Sequence, residues 1–477
     1  MTQIAYRHRP GQDFLAPGQA ERIHATALSI LQEVGLAVAL DTVRQEMARQ
    51  GFRVSGERVY FEPQVIEEYL NEMRRRAGQQ APPQQTAGDD GKLRLRVGVY
   101  AHHVHDLDQD RIVPYTSAML VEMTKLVDVL AERGLCGAAP GYPLDVPPPL
   151  QPIAKYRVGA TYARDGERPV DPICAEAVPY VMEMADVLGQ PMRELPIYVF
   201  SPLRLAGESL QVAMRFRDRL QSVHIGSMPS LGGTVPVLPF GALALAAAEV
   251  LGAFVTVAAV TGLSVSFGFG LHAFDLRYGT MVFGSPEAYL FGQISAEMNN
   301  YYTPWRQRPR GHPSAGIHSR ANFPGPQAAA EKASLLTAGA LIGARSFEGA
   351  GILAVDEVFS AEQLLVDMEI KDHVERLLWG LEMADEDYDW VEQVRQGVKD
   401  SFMAIDSTLD HYRSVYWHPE LFDRGFLASH GPGGRLQLAQ RARSMVRELV
   451  AKHAYELDAI RRREIERIWE RARQELT

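Results

Sequence analysis

The 477-residue chain carries 46% hydrophobic and 23% charged residues, the composition of an ordinary globular protein rather than a disordered or fibrous one. Its formal charge of −10, with both signs interspersed, implies no basic face and argues against nucleic acid as the main partner. Two cysteines, Cys136 and Cys174, permit at most one disulfide and no cysteine-rich zinc site, which suits a cytoplasmic protein stabilised by a large core.

Residues 1–14 contain no apolar core of a secretory signal. Ile23, Ala27, Ile30, Leu31 and Val34 then fall at helical spacing, and Gly35 ends the helix. Segments 41–50 and 63–76 read as two more helices around a short strand at 58–61. The polar stretch 78–91, rich in Pro and Gln, reads as a loop or linker.

Beyond it the pattern alternates. Strand-like apolar runs at 93–103, 135–139, 170–175, 197–201, 223–228, 264–269, near 300–303 and at 341–347 are separated by helical patterns. Those helices fall at 117–133, 178–189, 207–220, 241–260, 286–300 and 327–340. From 234 to 270 the only charged residue is Glu249, which superficially suits a membrane span. Pro236, Pro239 and several glycines interrupt it, so it reads as a buried helix (241–261) and a buried strand (263–269).

Strands alternating with helices predict parallel pairing. Eight of them, with no nucleotide fingerprint after the first, favour a closed barrel over an open sheet. The predicted fold is therefore α/β: a (β/α)8 TIM-type barrel at 92–359. A helical extension (1–91) packs on it, and a helical region (360–477) follows. The last predicted helix, 436–476, is amphipathic, and its Glu residues cancel the field of its Arg residues.

In such a barrel, functional side chains gather at the C-terminal ends of the strands. This selects Tyr100 and His103 after strand one, and Phe267, Phe269 and His272 at the end of strand six. It also selects Tyr301, Tyr302 and Trp305 after strand seven, His312, His318, Arg320 and Asn322 in the loop that follows, and Glu348 at the end of strand eight. His102, His103 and His105 invite a metal reading. Alternation sends at most two of them to one face, and no helical HExxH adds ligands, so lining a polar pocket suits them better and no metal is expected.

Phe267 and Phe269 alternate onto one face near His272, with Tyr302 on the next unit. Aromatic core explains any one of them. Together they suit a pocket holding an organic cation over ring faces, each contact worth roughly 0.5–2 kcal/mol. Asp275, Glu287 and Glu348 offer counter-charge, although the first two serve equally as helix-cap and first-turn residues. Neither a phosphate-binding glycine loop nor a GxSxG elbow appears, which disfavours nucleotide and serine-nucleophile chemistry.

Several segments carry a resemblance. IHATALSILQEVGL (23–36), GERVYFEPQVIEEYL (56–70), FDLRYGTMVFGSPE (274–287), PGPQAAAEK (324–332) and WHPELFDR (417–424) resemble, in order and spacing, the trimethylamine methyltransferase (MttB-like) family. The resemblance implies a (β/α)8 barrel that moves a methyl group from a methylated amine to a cobalt(I) corrinoid. That cobalamin-type cofactor is carried by a separate partner protein rather than bound tightly by this chain. Founding members carry pyrrolysine in the loop corresponding to about 313–327 here. No residue of this chain is pyrrolysine, so it resembles the non-pyrrolysine, glycine betaine methyltransferase-like branch.

That difference has a chemical logic. A tertiary amine is a poor methyl donor, whereas a quaternary ammonium already leaves as a neutral amine and needs only holding, orientation and dryness. The expected partners are thus a small quaternary amine, a cognate corrinoid protein and further copies of the chain, with no membrane. Gly325 stands where the family pattern has an acidic residue, and Ser407-Thr408 stands where it has a His-Thr pair. Arg320 could grip a substrate carboxylate. Two other readings fit the layout: a metal-dependent lyase or hydrolase using His102, His103, His105 and His272, and a non-catalytic relative that only binds a methylated amine.

Overall fold

A computed structural model of the chain describes residues 13–78, 91–165, 174–302, 314–381, 383, 388–426 and 434–477. Its apolar runs form parallel strands backed by helices, an α/β fold. Strands four (Glu194–Phe200), five (Ser222–Ser227) and six (Ser264–Phe269) pair in parallel and in chain order. Strands seven (Ser314–Gly316), eight (Ser346–Ala350), one (Arg94–Val97) and two (Leu135–Cys136) form a second parallel arc. The third predicted strand, at 170–175, falls mostly outside the described residues, as do Trp305 and His312.

The strands expected to close a barrel are therefore seen in two arcs. Among the described residues no strand pairing joins them. At the free edge of strand six the side-chain amide of Asn299 takes the place of a neighbouring strand. Its Nδ2 donates to Phe269 O (2.8 Å) and its Oδ1 accepts from Phe269 N (3.2 Å).

Several predicted elements shift, among them the strand expected at 341–347, which is observed at Ser346–Ala350. The run 93–103 is two strands: strand one ends at Val97, and His103–Asp106 belongs to a hairpin with Arg111–Pro114. Asp106 Oδ1 closes that hairpin by accepting from the backbone N–H groups of Asp108 and Gln109. Residues 300–302 are the last turn of the helix Pro286–Tyr302, whose buried stripe runs on from Met298 to Tyr302. The final long helix is two, Gly434–Ala451 and Ala459–Leu476, the second capped by Asp458 accepting from Arg461 N–H.

The N-terminal segment is more than helical. Leu36–Val38 pairs in parallel with the short strand Arg204–Leu205 and extends the first arc. Ile23, Ala27 and Leu31 of the helix Gln19–Glu33 are buried against the helix Pro239–Thr261. Gly252 permits that approach, since a Cβ there would stand 2.8 Å from Leu31 Cδ2. The helix Pro239–Thr261 is the one described helix long and apolar enough to cross a membrane, yet 78% of its most apolar window is buried inside the fold. Its single charge, Glu249, accepts from Ser201 Oγ (2.7 Å), Ser227 Oγ (2.5 Å) and Leu203 N (2.9 Å). Burial raises the Glu249 pKa while those donors oppose the rise. The carboxyl pins helix to sheet on the outer side of the arc.

Candidate active site at the strand ends

Alternation divides each arc into two faces. In the second arc Leu95, Val97 and Phe347 are buried under helices, so Arg96 and Glu348 point to the inner side. Register places Cys136, Arg96, Glu348 and Gly316 in one row across four parallel strands. In the first arc Ile197, Val223, Ile225 and Val265 are buried, which leaves Tyr198, His224 and Ser266 on the inner face. There His224 Nδ1 lies 2.9 Å from Ser266 Oγ.

Just beyond that row, at the C-terminal ends of strands six to eight, four side chains converge. The His318 ring lies across strands seven and eight: a Cβ on Gly316 or Gly349 would come within 3.1 or 3.0 Å of it. His318 Nε2 is 3.2 Å from Asp356 Oδ1. Phe283 stands between His318 and His272, with ring centroids 5.4 and 5.1 Å away.

Burial lowers the His272 pKa to about 4, aided by His318 and opposed by the Gly270 backbone and Asp356. That imidazole is neutral at pH 7. Its Nδ1 is out of solvent and has no hydrogen-bond partner among the described residues. Three flat rings and a carboxylate thus meet next to Glu348.

Two consecutive residues of the helix Pro326–Leu341 hold the walls. Glu331 Oε2 accepts from Ser319 Oγ (2.6 Å) and Arg320 N (2.9 Å), fixing the chain after His318. Lys332, wholly buried, donates to Gly349 O (2.8 Å) and Asp367 Oδ2 (2.8 Å). Asp367 also accepts from Gly351 N (2.8 Å). Burial pushes the Lys332 pKa down and Asp367 pulls it back. Removing one member of such a pair typically costs about 3–5 kcal/mol. Between these anchors Gly349 takes φ 95° where the register of strands eight and one shifts. A side chain there would be strained and would strike the His318 ring.

The residues selected from the sequence divide into groups. His272, His318 and Glu348 gather at the strand ends. Arg320 is nearby, its guanidinium donating to Asn322 Oδ1 (3.0 Å). Phe267, Phe269 and Tyr302 stand apart from His272, so the pocket expected from the four is not assembled. Phe269 is buried in the helix-facing core. Phe267 and Tyr302, with ring centroids 5.7 Å apart, line a cavity of about 640 Å³ with Tyr69 and Phe254, by the start of strand six. Tyr302 is tied into the scaffold there, its hydroxyl 3.1 Å from His24 Nδ1.

Tyr100 is half-buried in the turn after strand one, and His103 opens the side hairpin. His102 stacks on Tyr142 (5.6 Å, 18°), while His105 Nε2 donates to Asp110 Oδ1 (2.9 Å). The three histidines of this run therefore go to separate places. Among the described residues no group of three His, Cys, Asp or Glu side chains is arranged to hold a metal.

Sequence reasoning missed Phe283, Asp356 and Arg96. Phe283 follows a hairpin, Ala273–Asp275 with Thr280–Val282, that no alternation count marks as part of the site. Arg96, between Leu95 and Val97, carried a usable signal: a charge on the inward beat of a buried strand. The two departures from the family pattern have structural contexts. Gly325 is the N-cap of its helix at φ 152°, ψ −165°, a conformation nearly confined to glycine. Ser407 donates through both N and Oγ to Gln393 Oε1 (3.3 and 3.0 Å).

Comparison with known proteins adds the following. A family model described as trimethylamine methyltransferase (MTTB) matches residues 1–477. A glycine betaine methyltransferase of Desulfitobacterium hafniense (strain Y51) is 25% identical over 467 residues, 93% of each chain. The trimethylamine methyltransferase MttB2 of Methanosarcina mazei is 33% identical over 259 residues, 53% of this chain and 50% of that relative, so the match spans about half its length. Among solved structures, the monomethylamine methyltransferase MtmB of Methanosarcina barkeri aligns over 94% of this chain and 90% of that one, with 10% identity and a TM-score of 0.42.

Proposed function

Because the chain belongs to the trimethylamine methyltransferase (MTTB) family, we propose that it transfers a methyl group from a methylated amine, a quaternary and betaine-like one first, to the Co(I) corrinoid of a partner protein. The observation that carries this reading is the convergence of His272, Phe283, His318 and Asp356 at the strand ends. We read the two arcs as parts of one (β/α)8 ring at 92–359, flanked by the segments 1–91 and 360–477. Strand eight lying beside strand one supports it, because an open doubly wound sheet makes no such contact.

A quaternary ammonium donates no hydrogen bond and is held by ring faces and nearby negative charge. Phe283 and the two imidazoles offer the rings, and Asp356 and Glu348 offer the charge. Because His272 is neutral, it adds a ring without repelling the cation. The corrinoid, when docked, would supply the methyl acceptor. As the C–N bond breaks its electron pair stays on nitrogen, and a neutral amine leaves without needing a proton. The chain's own task is to hold one methyl toward the open end and exclude water. Around that end Phe200, Met228, Leu276 and Tyr278 are exposed, an apolar rim that suits a docking protein.

The test is a methyl-transfer assay with a reduced corrinoid protein and a panel of methylated amines. Methylation of the corrinoid with matching loss of one methyl from one amine is expected. No product from any amine, with a corrinoid protein shown to be competent, would overturn the reading. We also propose that the chain acts as a homo-oligomer. In its support, the helix Trp390–Lys399 turns Val391, Val394 and Val398 to solvent and Gln393 inward.

A further inference from the structure

Two charged side chains on the inner face of the second arc remain unused by the scaffold among the described residues. Arg96 is half-buried and Glu348 exposed, and among the described residues neither the guanidinium nor the carboxylate makes a hydrogen bond or ion pair. They are register partners on adjacent parallel strands, whose axes lie about 4.8 Å apart. Neither can turn outward, because Leu95, Val97 and Phe347 fill the outer face. Yet the two do not close on each other as an ion pair. A half-buried arginine without a partner is costly unless something else satisfies it.

The surroundings are asymmetric. On the Glu348 side lie the His318 ring, over Gly316 and Gly349, and Asp356 beyond it. On the other side of Arg96, in strand two, the row continues with Cys136. One end of the row is therefore negative and ring-lined, and the other carries a single positive fork.

We propose that Arg96 and Glu348 read the two charges of a zwitterionic substrate, an ammonium carboxylate whose charges are separated by a short chain. Arg96 takes the carboxylate, to which its planar fork is matched. Glu348, with Asp356 and the rings, takes the ammonium. A cation lacking the carboxylate would leave Arg96 unpaired and face its positive charge. This inference rests on the methylated-amine reading of the site and makes Arg96 its specificity determinant.

Calorimetric titration of the full chain with glycine betaine and with choline, which share a trimethylammonium head, tests it. Glycine betaine is expected to bind roughly 10- to 100-fold more tightly, the size of a hydrogen bond to a charged group. Arg96→Met should abolish that advantage while leaving choline binding unchanged or stronger, and Arg96→Lys should restore part of it. Glu348→Gln should weaken both ligands. Misfolding would lower both affinities together, so the ratio isolates the role of Arg96. An unchanged ratio in Arg96→Met overturns this inference alone. Failure of the wild type to bind any methylated amine overturns the reading beneath it as well.

Discussion

His272 shows how a single residue is prepared for a cationic ligand. Its folded pKa of about 4 lies below the ordinary value near 6.5, mainly through burial. The unfolded chain therefore binds that proton more readily than the folded one. The stabilising contribution is complete above about pH 6.5 and is lost as pH falls toward 4, about 2–4 kcal/mol in all. His318 and Asp356 also act on the His272 ring electrostatically, so the informative quantity is a difference. His272→Gln should flatten the acid limb of the thermal-stability profile between pH 6.5 and 4. A variant profile parallel to that of the wild type would show that His272 is not held neutral. At this scale the sequence was readable for position, placing His272, His318 and Glu348 at or just after strand ends. It was not readable where orientation decides. Phe267 and Phe269 do share a face, but helix cover, not alternation, determines that this face is the outer one.

Among the elements, the helix Trp390–Lys399 reverses ordinary patterning. Val391, Val394 and Val398, at helical spacing, are exposed, whereas Gln393 is buried and accepts from Ser407. Trp390, Phe402, Met403 and Leu409 nearby are also exposed. If this face joins copies of the chain, light scattering should give a multiple of the chain mass for the wild type and the single-chain mass for Val394→Asp/Val398→Asp. A wild type of single-chain mass would contradict the assignment. Helices in general were legible, because Ile23, Ala27 and Leu31 advertise their buried stripe. Breaks inside elements were not. The end of strand one at Val97 follows from pairing with strands two and eight, and the division of the last helix follows from the Asp458 cap; neither changes apolar periodicity.

For the whole molecule, the order seven-eight-one-two in one arc and four-five-six in the other places the ends of strands six to eight around one cluster. Eight alternating units predicted a ring, but alternation cannot show how edges meet. Here Asn299 occupies the edge of strand six that a neighbour would otherwise pair with. The same arrangement leaves two aromatic settings at opposite ends of strand six: the His272–Phe283–His318 cluster, and the cavity of Tyr69, Phe254, Phe267 and Tyr302. A crystal structure of the chain with glycine betaine discriminates between them most directly. The account predicts the ammonium methyls within about 4–4.5 Å of the Phe283 and His318 rings, with the carboxylate on Arg96. Ligand density in the Tyr69–Tyr302 cavity, with none at the strand ends, would contradict it.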